Sequence, residues 1–132
     1  MMVKEFRYYG YTLDELKKMS IEEFAKISNS RIKRSLLRGL DNQKRKFLEN
    51  ILKYPDKFHK THLRDMIILP QMVGAKIGVY RGGSSEKWVS LNITPEMIGR
   101  RLGEFAHTTK YVKHSAPGIG ASKGTLHVAS KK

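Results

Sequence analysis

The sequence predicts an α+β fold: a small three-stranded antiparallel sheet with flanking helices, a helical N-terminal extension and an extended basic C-terminal tail. Three observations carry that expectation. Apolar residues recur at helical spacing from Thr12 to Tyr54, alternation of the strand type begins at Leu63, and apolar periodicity ends after Phe105. A chain of 132 residues has the size of one domain with appended segments, and 39% hydrophobic residues support a modest core. The expected division is residues 1–60 for the helical extension, 61–105 for the α+β core and 106–132 for a tail that orders only on a partner.

The helices are bounded by local signals. "TLDE" and "SIEE" both fit the Ser/Thr-x-x-Glu capping box, with Thr12 and Ser20 as N-caps, which predicts helices over Leu13–Met19 and Ile21–Ser28. A third helix is expected over Arg31–Arg38 with Gly39 ending it. On it Ile32, Leu36 and Leu37 share an apolar side, and Arg31, Arg34 and Arg38 line another. A fourth runs from Asp41 to about Lys53, buries Phe47, Leu48, Ile51 and Leu52, and is stopped by "YPD".

Strands follow. "HLRDMIILP" is apolar, β-branched at its centre and closed by Pro70; "AKIGVY" and "WVSLNI" alternate, and "RGGSSE" between them has hairpin length. "TPEMIGRRLGEF" then predicts a short helix with Thr94 as N-cap and Pro95 at its first position, broken at Gly99 or Gly103.

Charge narrows the function. Lys plus Arg number 26 against 12 Asp plus Glu, a formal net charge of +14, which opposes compaction unless a polyanion compensates it. Nucleic acid is the leading partner. No apolar run approaches the roughly 20 residues a membrane-spanning helix needs, so no membrane association is expected, and "MMVKEFRYYGY" has no apolar region of the secretory type. The absence of cysteine excludes disulfides, thiolate metal sites and thiol nucleophiles, and fits a reducing cytosol.

No catalytic, metal or cofactor site is expected. "HKTH" spaces His59 and His62 by three without a third ligand, which leaves them as loop histidines near polyanion. "PGIGASKGT" lacks the Gly-Lys-Ser/Thr of a phosphate loop, since Lys123 precedes Gly124. Beyond residue 60 the acidic residues are only Asp65, Glu86, Glu96 and Glu104, with no close pair in sequence for acid–base work.

The basic residues instead sit where a small sheet would present them. Arg64, Lys76, Arg81, Lys87, Arg100 and Arg101 fall at turns and strand ends, where they suit phosphate contacts that fix position without reading sequence. Lys110, Lys113, His114 and Lys123 lie in a C-terminal stretch, Lys110 to Lys132, that has no acidic residue. Arg31, Arg34 and Arg38 are further RNA-binding candidates, the alternative being a solvated helix face. Met72, Met97 and Trp88 are weighed as a base-stacking platform, core packing being the commoner role of such residues.

Three stretches, "HLRDMIILPQMVGAKIGVYRG", "PEMIGRRLGEFAHT" and "VKHSAPGIGAS", occur in an order that resembles ribosomal protein nineteen of the small subunit in its archaeal and eukaryotic form, the eukaryotic relative being called protein fifteen. The resemblance is close from about Thr61 to Ser122. It implies a structural protein, not an enzyme, that binds small-subunit ribosomal RNA in the subunit head and resides there in the cytoplasm. It also implies ribosomal protein thirteen as a neighbour and a tail directed toward the decoding region and transfer RNA. Met72–Gly74, Met97–Gly99 and Leu102–Phe105 correspond to scaffold and Lys113–Ala121 to tail. Two departures stand out. The family's hairpin commonly reads Asn-Gly-Lys where this chain has "RGGSSEK", leaving Arg81 and Lys87 as the phosphate-facing candidates. Arg100 stands where the family often has His, which keeps a cation but exchanges a ring for a forked donor. The competing function is a free nucleic-acid-binding module of the chromatin or RNA-chaperone type.

Overall fold

Reciprocal caps start the first helices. In the computed structural model, which describes residues 5–83 and 86–115, the Thr12 amide donates to Glu15 Oε2 at 2.8 Å as α1 (Leu13–Lys18) begins. At the start of α2 (Ile21–Ile27), the Ser20 amide donates to Glu23 Oε2 at 2.9 Å and the Glu23 amide donates to Ser20 Oγ at 3.2 Å. Hydrogen bonds from the Thr12 and Ser20 backbone amides hold the Glu15 and Glu23 carboxyls below their ordinary range. Asn29 caps α3 (Ser30–Leu37) by accepting from the Ile32 amide at 3.1 Å, and Gly39, at φ 89°, turns the chain beyond it. Asp41 caps α4 (Asn42–Lys53). All four helices begin and end within one residue of the positions their sequence signals predict.

Before α1 the chain forms a hairpin not anticipated from sequence. β1 (Arg7–Tyr8) pairs antiparallel with β2 (Tyr11–Thr12), and the turn residues Tyr9 and Gly10 both have positive φ, 47° and 91°. Two positive φ values at a two-residue turn match the right-handed twist of the strands it joins.

The main sheet contains β3 (Phe58–Thr61), β4 (Lys76–Tyr80) and β5 (Trp88–Asn92) in that order. β4 and β5 are the expected antiparallel hairpin, but β3 runs parallel to β4 with Phe58 opposite Lys76 and Thr61 opposite Val79. The sheet is therefore mixed rather than antiparallel, and its first strand is "FHKT" rather than the predicted "HLRDMIILP". The reason lies in where that apolar stretch finds hydrogen bonds. Its backbone pairs with residues 99–103: Ile68 N–H to Arg100 O at 2.8 Å, Gly99 N–H to Ile68 O at 3.0 Å, Leu102 N–H to Met66 O at 3.0 Å and Gly103 N–H to Arg64 O at 2.8 Å. With its polar groups satisfied away from the sheet, the stretch crosses the middle of the protein, with Met66, Ile68, Leu69 and Met72 all at most 1% exposed.

The same pairing replaces the helix predicted after Thr94. Residues 99–101 are drawn out to meet residues 67–68, leaving two short 3₁₀ turns, Pro95–Met97 and Leu102–Phe105. Gly103 is required by close approach, because a Cβ there would lie 3.0 Å from the Arg64 carbonyl oxygen. One hydrophobic cluster runs from Leu16, Phe24, Leu36 and Ile51 of the helices through the 66–72 stretch to Ile77, Val79, Ile98 and Leu102. Lys44 on α4 pairs with Asp65, and that hydrogen bond depresses the Asp65 carboxyl.

Candidate nucleic-acid interface

Cations identified from sequence gather at two places on the surface. The first is the β4–β5 hairpin end. Arg81 donates from Nε to the Glu86 carbonyl and from Nη2 to Glu86 Oε2, both at 3.0 Å, which fixes its guanidinium across the loop. Beside it the chain leaves the core after Ala106, so that Arg81 and Lys110 line one groove of 150 Å³ with Glu86 and His107. Lys87 is exposed next to this groove. From His107 to Ser115 every residue is exposed, including Lys110, Lys113 and His114.

The second place is a cleft of 390 Å³ where the β1–β2 hairpin meets the start of α3 and residues 96–104. Arg31, Arg100 and Arg101 line it with Tyr8 and Tyr9, although nearly 70 residues separate Arg31 from the other two. Arg100 pairs with Glu104 at 3.5 Å, and Arg101 Nη2 reaches Ser35 Oγ at 3.5 Å. Glu96 and Glu104 also line the cleft, so its field is mixed rather than uniformly positive.

The remaining candidates differ in kind. Arg64 is half-buried, and its fork donates to the carbonyls of Tyr80 at 2.8 Å, Gly103 at 3.1 Å and Ala106 at 2.6 Å. It ties the end of β4 to the last turn of the core. Lys76 is exposed at the start of β4, while Arg34 and Arg38 are exposed on α3 and do not line the cleft that Arg31 enters. Lys123 lies outside the described residues, as does most of the Lys113–Ala121 stretch.

Histidines 59 and 62 are not brought together. His59 is buried on the core side of β3 with Nε2 2.9 Å from the Tyr54 carbonyl, whereas His62 packs on the opposite side against Tyr80. Met72, Met97 and Trp88 likewise separate: Met72 is wholly buried, Met97 packs against the core, and Trp88 stands on the sheet's outer face. Sequence reasoning missed Tyr8, Tyr9, Phe58 and Lys60 as surface residues of interest. The alternation in "FHKT" was the available signal, with His59 and Thr61 inward and Phe58 and Lys60 outward.

The described residues contain no helix long and apolar enough to cross a membrane. A family model described as ribosomal protein S19 matches residues 26–114, more than half of the chain.

Proposed function

The chain belongs to the ribosomal protein S19 family and is thus a structural, RNA-binding protein of the small ribosomal subunit; from that premise we propose that it sits in the subunit head and directs its basic C-terminal segment toward the decoding region and transfer RNAs. One observation carries this reading. The chain leaves the core at Ala106, every residue from His107 to Ser115 is exposed, and no acidic residue follows Glu104. A segment without carboxylates approaches RNA phosphates without repulsion, and the lysines it carries act as flexible point charges.

In this reading Lys76, Arg81, Lys87, Arg100 and Arg101 contact phosphates and fix the body on head RNA, with Arg31, Arg34 and Arg38 as a second basic stripe. Lys110, Lys113, His114 and Lys123 serve the tail. Arg64, engaged with three carbonyls, serves by holding Ala106 beside Tyr80 and so sets where the tail departs. Residues 1–60 and 61–105 then supply the anchored body, residues 106–132 order on RNA, and ribosomal protein thirteen is the neighbour in the head.

Truncation after Thr109 tests the division of labour. Truncated protein is expected to enter small subunits and to remain through a high-salt wash, while transfer-RNA retention or decoding accuracy falls. Failure to enter subunits, or normal decoding by the truncated ribosomes, would sink it. Release of the full-length protein as a free species in the same wash would favour a free nucleic-acid-binding module instead.

A further inference from the structure

The sheet turns one side to the core and leaves the other open. On the open side lie Phe58 and Lys60 of β3, Lys76, Gly78 and Tyr80 of β4, and Trp88, Ser90 and Asn92 of β5, placed there by the alternation of each strand and the register between them. Gly78 makes this face flat. Its missing side chain is replaced by the Phe58 ring, whose Cζ and Cε1 atoms lie 2.6 and 2.9 Å from where a Cβ would stand. That ring rests on sheet backbone and still remains 42% exposed. At the other end His62, Tyr80 and Trp88 form a second aromatic group, with ring centroids 4.4 to 5.1 Å apart. Lys60 Nζ stands 5.5 Å over the Trp88 ring.

Three features decide what could cover this face. A half-exposed aromatic ring set against Gly78 is an apolar surface that suits a flat partner. No strand of the sheet carries an acidic residue, so the charges its strands place on this face are those of Lys60 and Lys76. Lysine stands among the rings, whereas the buried centres of protein–protein interfaces are enriched in aromatics but depleted in lysine. Aromatic rings interleaved with lysines on a small sheet match unpaired nucleotides, whose bases stack and whose phosphates pair with cations.

We propose that this face is a stacking platform for unpaired bases of single-stranded RNA, one base resting on Phe58 and another on the Trp88–Tyr80 group. Lys60 covers the Trp88 ring in the free protein and moves to a phosphate when a base takes its place, and Lys76 meets the backbone at the Phe58 end. The proposal rests on the RNA-binding assignment and adds where, and in what form, RNA is held.

Trp88 is the single tryptophan, so its fluorescence reports this face alone. The full chain is titrated with a single-stranded RNA of about twelve nucleotides, and with a duplex of the same length, under one salt condition. The single strand is expected to quench Trp88 emission to saturation, because stacked bases quench indole. The duplex is expected to bind, as read by anisotropy of labelled RNA, while leaving the emission nearly unchanged. Phe58→Leu keeps the apolar cover over Gly78 but removes the π-face, and should lower single-strand affinity about 5- to 150-fold with duplex affinity within about twofold. Phe58→Tyr should restore it, and Gly78→Ala, which displaces the ring, should reproduce the loss; unchanged melting temperatures separate these effects from misfolding. Equal quenching by both RNAs, or unchanged single-strand affinity in Phe58→Leu, would overturn the proposal, the second being the result if a protein covers the face. Failure of the unaltered chain to bind either RNA would instead overturn the RNA-binding assignment.

Discussion

Arg64, in the seam where residues 64–68 meet residues 99–106, donates three hydrogen bonds to backbone carbonyls. The side chains of Lys60 and Lys76, on the outer face of the sheet, make no hydrogen bond or ion pair among the described residues, and that of Lys60 rests over an aromatic ring. These residues lie within 16 positions of one another and are equivalent in any tally of charge. Their surroundings separate them. The seam brings together the backbone carbonyls of Tyr80, Gly103 and Ala106, and a forked guanidinium can satisfy several at once. The strands of the outer face carry no carboxylate, so its ammonium groups stay available to a polyanion. A net charge of +14 thus overstates the cations free for RNA, because part of it is committed to closing the fold.

The largest expected effect strikes the seam through its apolar lining. Leu102 is fully buried, and Leu102→Ala should destabilise the protein by about 2–5 kcal/mol, measured by urea denaturation, through the cavity it leaves. RNA affinity of the molecules that remain folded should be unchanged. Arg64→Ala comes next, at about 2–3 kcal/mol, because three carbonyls lose a charged donor. Arg64→Lys should recover less than half of that loss, since one ammonium cannot reach three acceptors in the guanidinium's geometry. If Arg64→Ala left stability unchanged and weakened RNA binding instead, the contrast between the two regions would fail.

On the outer face the order reverses. Lys60→Ala with Lys76→Ala should change stability by less than about 1 kcal/mol. The dependence of log affinity on log salt should become shallower by about 0.7 per lysine for single-stranded RNA, in a titration from low to moderate salt. An unchanged slope would place these lysines outside the contact.

The smallest effect is acidic. The Lys44 hydrogen bond lowers the Asp65 carboxyl, with Coulombic help from Lys44 and Arg101. A carboxyl depressed on folding contributes stability above its unfolded value and loses it as pH falls through the lower folded value. Melting temperature measured below about pH 4 should therefore fall by an amount that Lys44→Met abolishes. Asp65 is mostly exposed and Lys44 half-buried, which limits the pair's contribution to about 0.2–1 kcal/mol.

How much of this was legible depended on the range of the interactions. Thr12, Ser20, Asn29 and Asp41 cap helices through partners at most three residues away, so the helix boundaries could be read in order along the chain. The β4–β5 hairpin was equally local. The β1–β2 hairpin was missed because Tyr9 is an unusual residue for a left-handed turn position, although Gly10 beside it marked the bend. The basic residues could be counted from sequence, but not which of them the fold engages. Nothing near Arg64 in sequence reveals that Gly103 and Ala106 will stand beside it.

The sequence by itself determined the class of the fold, the four helices, the inward faces of β4 and β5 and the positive tail, because capping, periodicity and charge act over a few residues. Only the tertiary structure decided that β3 runs parallel to β4, that the 66–72 stretch crosses the core, and which arginines share the cleft with Tyr8 and Tyr9. Each of these is settled by backbone groups and side chains far apart in the chain finding partners only when the core closes, and no local pattern records such a choice.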